Sequence, residues 1–213
     1  ICSSVVFTAD CIALSVSACN FDPIVTNKKS VYMVGDSILM SASWNNSSFT
    51  KAAPKGYSVK VDAFMGKKVT DYQSAVASYG KQDAPERLVI ELGTNDAHDG
   101  WSAADTANYQ KLVDSAPART CIVAVVPAAA PTASAADRAG IADAQVAIRK
   151  IMAKETRKQV AEFSEFMAAH PEQISGADGI HLLTQTGGAD WDNWVKQTYS
   201  AWIWSYANAC KGA

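Results

Sequence analysis

The sequence predicts an α/β protein, a five-stranded parallel sheet with helices on both faces. Three observations carry this reading. Five apolar, β-branched runs recur from Ser30 onward, at residues 30–34, 57–64, 87–92, 120–126 and 158–164. Helix-period stretches separate most of them, as in a chain of β–α units. The runs at 30–34, 87–92 and 120–126 are almost continuously apolar, the pattern of strands buried on both faces.

Each element has its own reason. SVYMV (30–34) stops at Gly35-Asp36-Ser37, and apolar residues resume at Ile38. Ser37 is therefore either the cap of a following helix or a nucleophile shown at a strand-to-helix turn. YSVKVDAF (57–64) alternates and runs into Met65-Gly66, and a helix is expected over 69–79. RLVIEL (87–92) ends at Gly93-Thr94-Asn95-Asp96. The next helix, 102–116, opens with Ser102-x-x-Asp105, a capping-box spacing. TCIVAVV (120–126) ends at Pro127, and the Ala/Pro-rich stretch 127–136 is a loop entering a helix. That helix, 134–156, opens with Ser134-x-x-Asp137 and repeats Ile141, Ala144, Ile148 and Met152 at helical spacing. KQVAEFS (158–164) is the last strand. The last helix, 187–210, places Trp191, Val195, Tyr199, Trp202 and Tyr206 on one face, with Cys210 one turn further. Crossovers are right-handed in such sheets, and chemistry sits at the carboxyl ends of the strands.

Composition narrows the function. Of 213 residues 48% are hydrophobic and 19% charged, an ordinary globular balance. The net charge of −2, without a basic run, argues against nucleic acid as a partner. No run reaches the roughly 18–20 apolar residues of a membrane span. The chain starts at Ile1 with neither Met nor a basic leader, so a mature form or a fragment is expected. Residues 1–29 read as a cysteine-bearing extension packed on the domain, and 30–213 as that domain, expected to be monomeric.

Cys2, Cys11 and Cys19 lie near the start and Cys210 near the end. These four are expected to form two disulfides, in one of three pairings. Cys121, inside an apolar run, reads as a buried free thiol. Disulfides imply an oxidising compartment outside the cytoplasm; the alternative is five reduced thiols inside it. No CxxC or Cys/His spacing suggests a metal, and no cofactor is implied.

The polar residues after the strands supply the parts for acyl transfer. Serine needs a base to become a good nucleophile. His181 is a candidate base, and Asp178, three residues before it, could fix its imidazole from the same loop. Gly179 would let that loop turn tightly. Developing oxyanion charge needs donors, and the backbone N–H groups of Ser37 and Gly66 and the Asn95 amide are available. A G-x-S-x-G elbow is absent.

Four blocks in order, VGDSILM, the glycine of FMGKKVTD, ELGTND and DGIHL, resemble the signature of the SGNH (GDSL-type) hydrolases. The resemblance runs from Val34 to Leu182. It implies a flavodoxin-like, three-layer α/β/α sandwich with Ser37, Gly66, Asn95 and His181 as the named residues and Asp178 as the triad acid. VYMVGDSILMSA, VDAFMGKKVTDY and LVIELGTND further resemble the extracytoplasmic SGNH domain of bacterial membrane O-acyltransferases, such as the peptidoglycan O-acetyltransferases. That implies an acyl donor, a glycan or other alcohol acceptor, and a membrane acyltransferase domain in the full-length chain. Leu182-Leu183 stands where that group often has proline, and the cysteine-bearing extension has no counterpart in it. A secreted carbohydrate esterase, lipase or thioesterase, or a non-catalytic glycan-binding module, are the alternatives.

Other polar residues have plainer readings. Asp36 reads as structural. Asp96, His98 and Asp99 crowd one loop, more like a solvated cluster than a metal site, and His98 with Trp101 could line a cleft. His170 reads as a surface residue. Lys67-Lys68 reads as a solvated face or a contact for an anionic glycan.

Overall fold

The computed structural model describes residues 29–43, 47–82, 84–183 and 189–210. The N-terminal extension lies outside them, except Lys29, which opens the first strand. The strands are β1 (Lys29–Gly35), β2 (Tyr57–Ala63), β3 (Arg87–Glu91), β4 (Cys121–Val126) and β5 (Lys158–Glu162). The helices are α1 (Ser37–Ser43), α2 (Ser47–Ala52), α3 (Val69–Gln82), α4 (Thr94–Ala97), α5 (Ala103–Asp114), α6 (Ala135–Met152), α7 (Phe163–Ala169) and α8 (Ala189–Ala209). All strand pairs are parallel, in the order β2-β1-β3-β4-β5. The strands follow the apolar runs to within two residues.

Alternation along the strands sorts the core into two halves. Val31, Met33, Val89, Cys121, Val123 and Val125 face a layer built from α1, α2, α7 and α8. Tyr32, Val34, Leu88, Ile90, Ile122, Ala124 and Val126 face α3, α5 and the C-terminal half of α6. The result is a three-layer α/β/α sandwich. Ser102 forms the expected capping box with Asp105 at the start of α5, and Ser134 caps α6 through Asp137 N–H.

Three details depart from the sequence reading. The last strand ends at Glu162 because Phe163 turns into α7 and inserts its ring, 1% exposed, between Phe166 and Tyr199. The helix expected over 134–156 stops at Met152. The short α2 was not anticipated; its Phe49 is fully buried and its carbonyl accepts from Trp204 Nε1 at 3.0 Å.

The cysteine scheme is corrected outright. Cys121 is not a free thiol: it forms a disulfide with Cys210, with Cα atoms 5.8 Å apart. The helix α8 starts beside the carboxyl edge of the sheet and ends at its amino edge, where Arg87 Nε donates to the Ala207 carbonyl. Cys210, one residue past the helix, therefore meets the first residue of β4 rather than the N-terminal extension. A half-cystine on a buried strand face looks like a small hydrophobe in sequence, which is why the residue misled. Cys2, Cys11 and Cys19 lie outside the described residues.

Candidate active site

Three strands deliver their ends to one edge. After β1 the chain makes a single-residue step, Asp36, before α1 begins at Ser37. The carbonyl of Gly35 accepts from Phe64 N–H (3.3 Å) and from the Tyr72 hydroxyl (3.0 Å), which ties this turn to the ends of β2 and the start of α3. A Cβ on Gly35 would lie 2.5 Å from Leu39 side-chain atoms, so the strand end and the first helical turn touch only because residue 35 lacks one.

The first N–H groups of a helix have no partners within it. Here they are shared out. Ile38 N–H donates to Asp36 Oδ1 (3.0 Å), Leu39 N–H to Glu91 Oε2 (3.0 Å), and Met40 N–H to the Asp36 carbonyl (2.9 Å). Ser37 N–H has no acceptor among the described residues. It stays available at the positive end of the turn.

Ser37 is 8% exposed, and its Oγ lies 2.7 Å from His181 Nε2. His181 Nδ1 lies 2.9 Å from Asp178 Oδ2. An ionised carboxylate only accepts, so Nδ1 carries the hydrogen and Nε2 accepts from the Ser37 hydroxyl. Asp178 Oδ1 takes the N–H groups of Ile180 (2.8 Å) and His181 (3.0 Å). Burial pushes Asp178 up, but those two N–H groups and the imidazole outweigh it and hold the carboxyl below its usual value. It is ionised at neutral pH.

The loop that carries this pair is clamped at both ends. Gly179 N–H donates to Ser175 and its carbonyl accepts from Ala130 N–H (2.8 and 2.7 Å), while Ser175 N–H donates to His181 (2.8 Å). Gly179 has φ +67°, and a Cβ there would come within 2.6 Å of Ala133 N and Thr132 Oγ1. Glycine is required twice over, by conformation and by space.

Gly66 sits in the turn after β2 with φ +73°, and its N–H has no acceptor among the described residues. Asn95, on α4 after β3, donates through Nδ2 to the Lys67 carbonyl at 2.9 Å. That bond locks the two loops together and uses one of the two amide hydrogens, leaving the other. The structure thus joins Ser37, His181 and Asp178 by hydrogen bonds and sets Gly66 and Asn95 on adjoining, cross-linked loops.

The remaining candidates have other partners. Asp96 accepts Val69 N–H and starts α3. His98 Nδ1 pairs with Asp137 at 2.7 Å, and Trp101 Nε1 donates to Thr106 at 2.8 Å. His170 is not simply a surface residue: its ring packs 4.9 Å from Phe166. Lys67 pairs with Asp71 at 3.6 Å. Two acids went unremarked as a pair. Asp36 and Glu91 are buried, 0% and 2% exposed, directly beneath the Ser37 turn. A lone glutamate inside the apolar run RLVIEL was the signal for them.

No family model matches the sequence, and no match is found among curated proteins. Solved structures do match. The C-terminal catalytic domain of Streptococcus pneumoniae peptidoglycan O-acetyltransferase A superposes with a TM-score of 0.68 at 17% identity, covering 87% of this chain and 98% of that one. A GDSL-like lipase from Bacteroides thetaiotaomicron gives 0.64 at 17%, covering 94% and 97%. TesA gives 0.63 at 20%, covering 84% and 98%. The chain has the fold of the SGNH (GDSL-type) hydrolases.

Proposed function

We propose that this protein is a serine acyl-transfer enzyme acting outside the cytoplasm, passing an acyl group, most simply acetyl, to a glycan hydroxyl. The observation that carries the reading is the hydrogen-bonded row Ser37–His181–Asp178, 2.7 and 2.9 Å, at the carboxyl edge of the sheet. Ser37 Oγ attacks the acyl carbonyl carbon while its proton moves to His181 Nε2. Negative charge on the carbonyl oxygen is met by Ser37 N–H, Gly66 N–H and the free Asn95 amide hydrogen. The donor alcohol leaves with the proton from His181. A second alcohol then gives its proton to His181 and attacks the acyl-Ser37 ester; as the acyl–Oγ bond breaks, His181 returns that proton to Ser37 Oγ.

Water in place of the second alcohol makes the same site an esterase, and the fold does not choose between them. The likeness to a peptidoglycan O-acetyltransferase domain supports transfer, and an acetyl xylan esterase of the same fold (TM-score 0.61, 18% identity) supports hydrolysis. The Cys121–Cys210 bond supports an oxidising compartment. Among the described residues no helix is long and apolar enough to cross a membrane. Tethering would come from a membrane domain elsewhere in a longer chain.

Two measurements test this. Wild type should release nitrophenol from p-nitrophenyl acetate, and Ser37→Ala should lose roughly 10³-fold or more of that rate. Equal slow release by both rules out the enzyme. Given an acetyl donor and a cell-wall oligosaccharide, mass spectrometry should show acetylated sugar; free acetate alone would favour the esterase.

A further inference from the structure

The nucleophile turn rests on two acids that the reaction above does not use. Asp36 follows β1 and Glu91 ends β3, and Asp36 N–H donates to the Glu91 carbonyl at 3.2 Å. The two carboxyl groups are buried side by side, with one oxygen of each on the successive N–H groups of Ile38 and Leu39. Two carboxylate oxygens can hydrogen-bond each other only when a proton lies between them. Without one, buried Asp36 Oδ2 is left to the Thr94 hydroxyl beside this carboxyl, which has no other partner. With one, Glu91 donates to Oδ2, and the outer oxygens still hold Ile38 and Leu39 N–H.

We propose that Asp36 and Glu91 share a single proton, carried by Glu91, and that this neutral-on-anion pair is the positioning device of the nucleophile turn. It occupies the N–H groups of Ile38 and Leu39 and leaves Ser37 N–H to the oxyanion, a role that rests on the function proposed above. Its one remaining negative charge also lies near His181 and favours the imidazolium formed when Ser37 gives up its proton.

The surroundings agree. The titratable groups acting on the pair are Tyr72 from α3, Tyr109 from α5, Tyr199 from α8 and His181 from the loop before α8. The three phenols are raised by burial and by these or neighbouring acids, so they stay neutral. No lysine or arginine is among the strongest influences on either carboxyl. Burial pushes Asp36 up to about 6 despite the Ile38 N–H. Burial, then the charge of Asp36, pushes Glu91 well above its usual range. Like charges in contact in a dry site cannot both ionise near neutrality.

A raised group stabilises the fold fully below its unfolded value and loses that contribution as pH rises through its folded value. The Asp36 contribution is therefore complete only below its unfolded value of 3.8 and is lost as pH rises through about 6; that of Glu91 is lost well above the usual glutamate range. Glu91→Gln mimics the protonated acid and should remove only the alkaline part of the fall.

Infrared spectroscopy on the folded protein tests the proton without needing activity. At neutral pH wild type should show a protonated-carboxyl C=O band that 13C-glutamate labelling shifts and Glu91→Gln abolishes. Absence of that band overturns the proposal, whatever the enzyme does. Kinetics tests the positioning. Glu91→Ala should lose roughly 10- to 100-fold in kcat with little change in KM, the scale of a displaced oxyanion donor. Glu91→Gln should recover most of it and extend the alkaline limb of the pH profile. A folded Glu91→Gln as slow as Glu91→Ala, or with an unaltered alkaline limb, overturns it.

Discussion

The two arms of the candidate site are built on opposite plans. The Ser37 arm is buried from Val31 to Leu39, and its turn is tied to residues distant in sequence, Phe64, Tyr72 and Glu91. The His181 arm is a loop with side chains 39% and 43% exposed, held mainly by bonds two to six residues apart, between Ser175, Asp178, Ile180 and His181. The proposed nucleophile is thus part of the core, and the proposed base is mounted on its rim. The difference teaches where damage should appear. Errors in the first arm should cost stability and activity together, and errors in the second should cost mainly activity.

Asp178→Asn is the strongest test of the rim. It keeps the shape of the loop but withdraws the charge that fixes the imidazole, and kcat should fall roughly 10²- to 10⁴-fold. Circular dichroism should show no change in melting temperature beyond a few degrees. A comparable loss of melting temperature would show that the rim is structural after all.

Two alanine substitutions at glycine sharpen the contrast. Gly179→Ala puts a Cβ against Ala133 N and Thr132 Oγ1 at a positive φ, and should displace His181. About 10- to 100-fold in kcat/KM should go, the scale of a misplaced catalytic group, with a modest loss of stability. Gly35→Ala drives a Cβ into Leu39 inside the core. It should cost about 1–3 kcal/mol of unfolding free energy as well as activity. Chemical denaturation of both variants separates the two plans, and equal stability losses would erase the distinction.

The disulfide should affect activity least. It closes a separation of 89 residues at the amino edge of the sheet, the opposite end from the site. Replacing Cys121 and Cys210 together by alanine should lower stability by about 2–4 kcal/mol. The esterase rate below the melting transition should stay within about twofold of wild type. A large loss of rate would mean that α8, Cys210 included, positions the site.

Much of this was readable before any coordinates. Strand positions followed from continuous apolar runs, because a strand buried on both faces has no room for polar side chains. Helix starts at Ala103 and Ala135 followed from capping residues, a short-range chemistry. The Asp178–His181 pair was legible too, since three residues of loop suffice to bring the groups together. What sequence alone could not decide were contacts made across the fold. Phe163 looked like a strand residue until Tyr199 and Phe166 gave it a pocket. Cys121 looked like a small hydrophobe until α8 carried Cys210 to it. Glu91 stood out as an acid in an apolar run, yet only the pairing of β1 with β3 set it beside Asp36. The amino-acid order specifies local periodicity, caps and turns because those depend on neighbours within one or two turns of chain. Partners dozens of residues apart are chosen by packing, and only the packed molecule contains that choice.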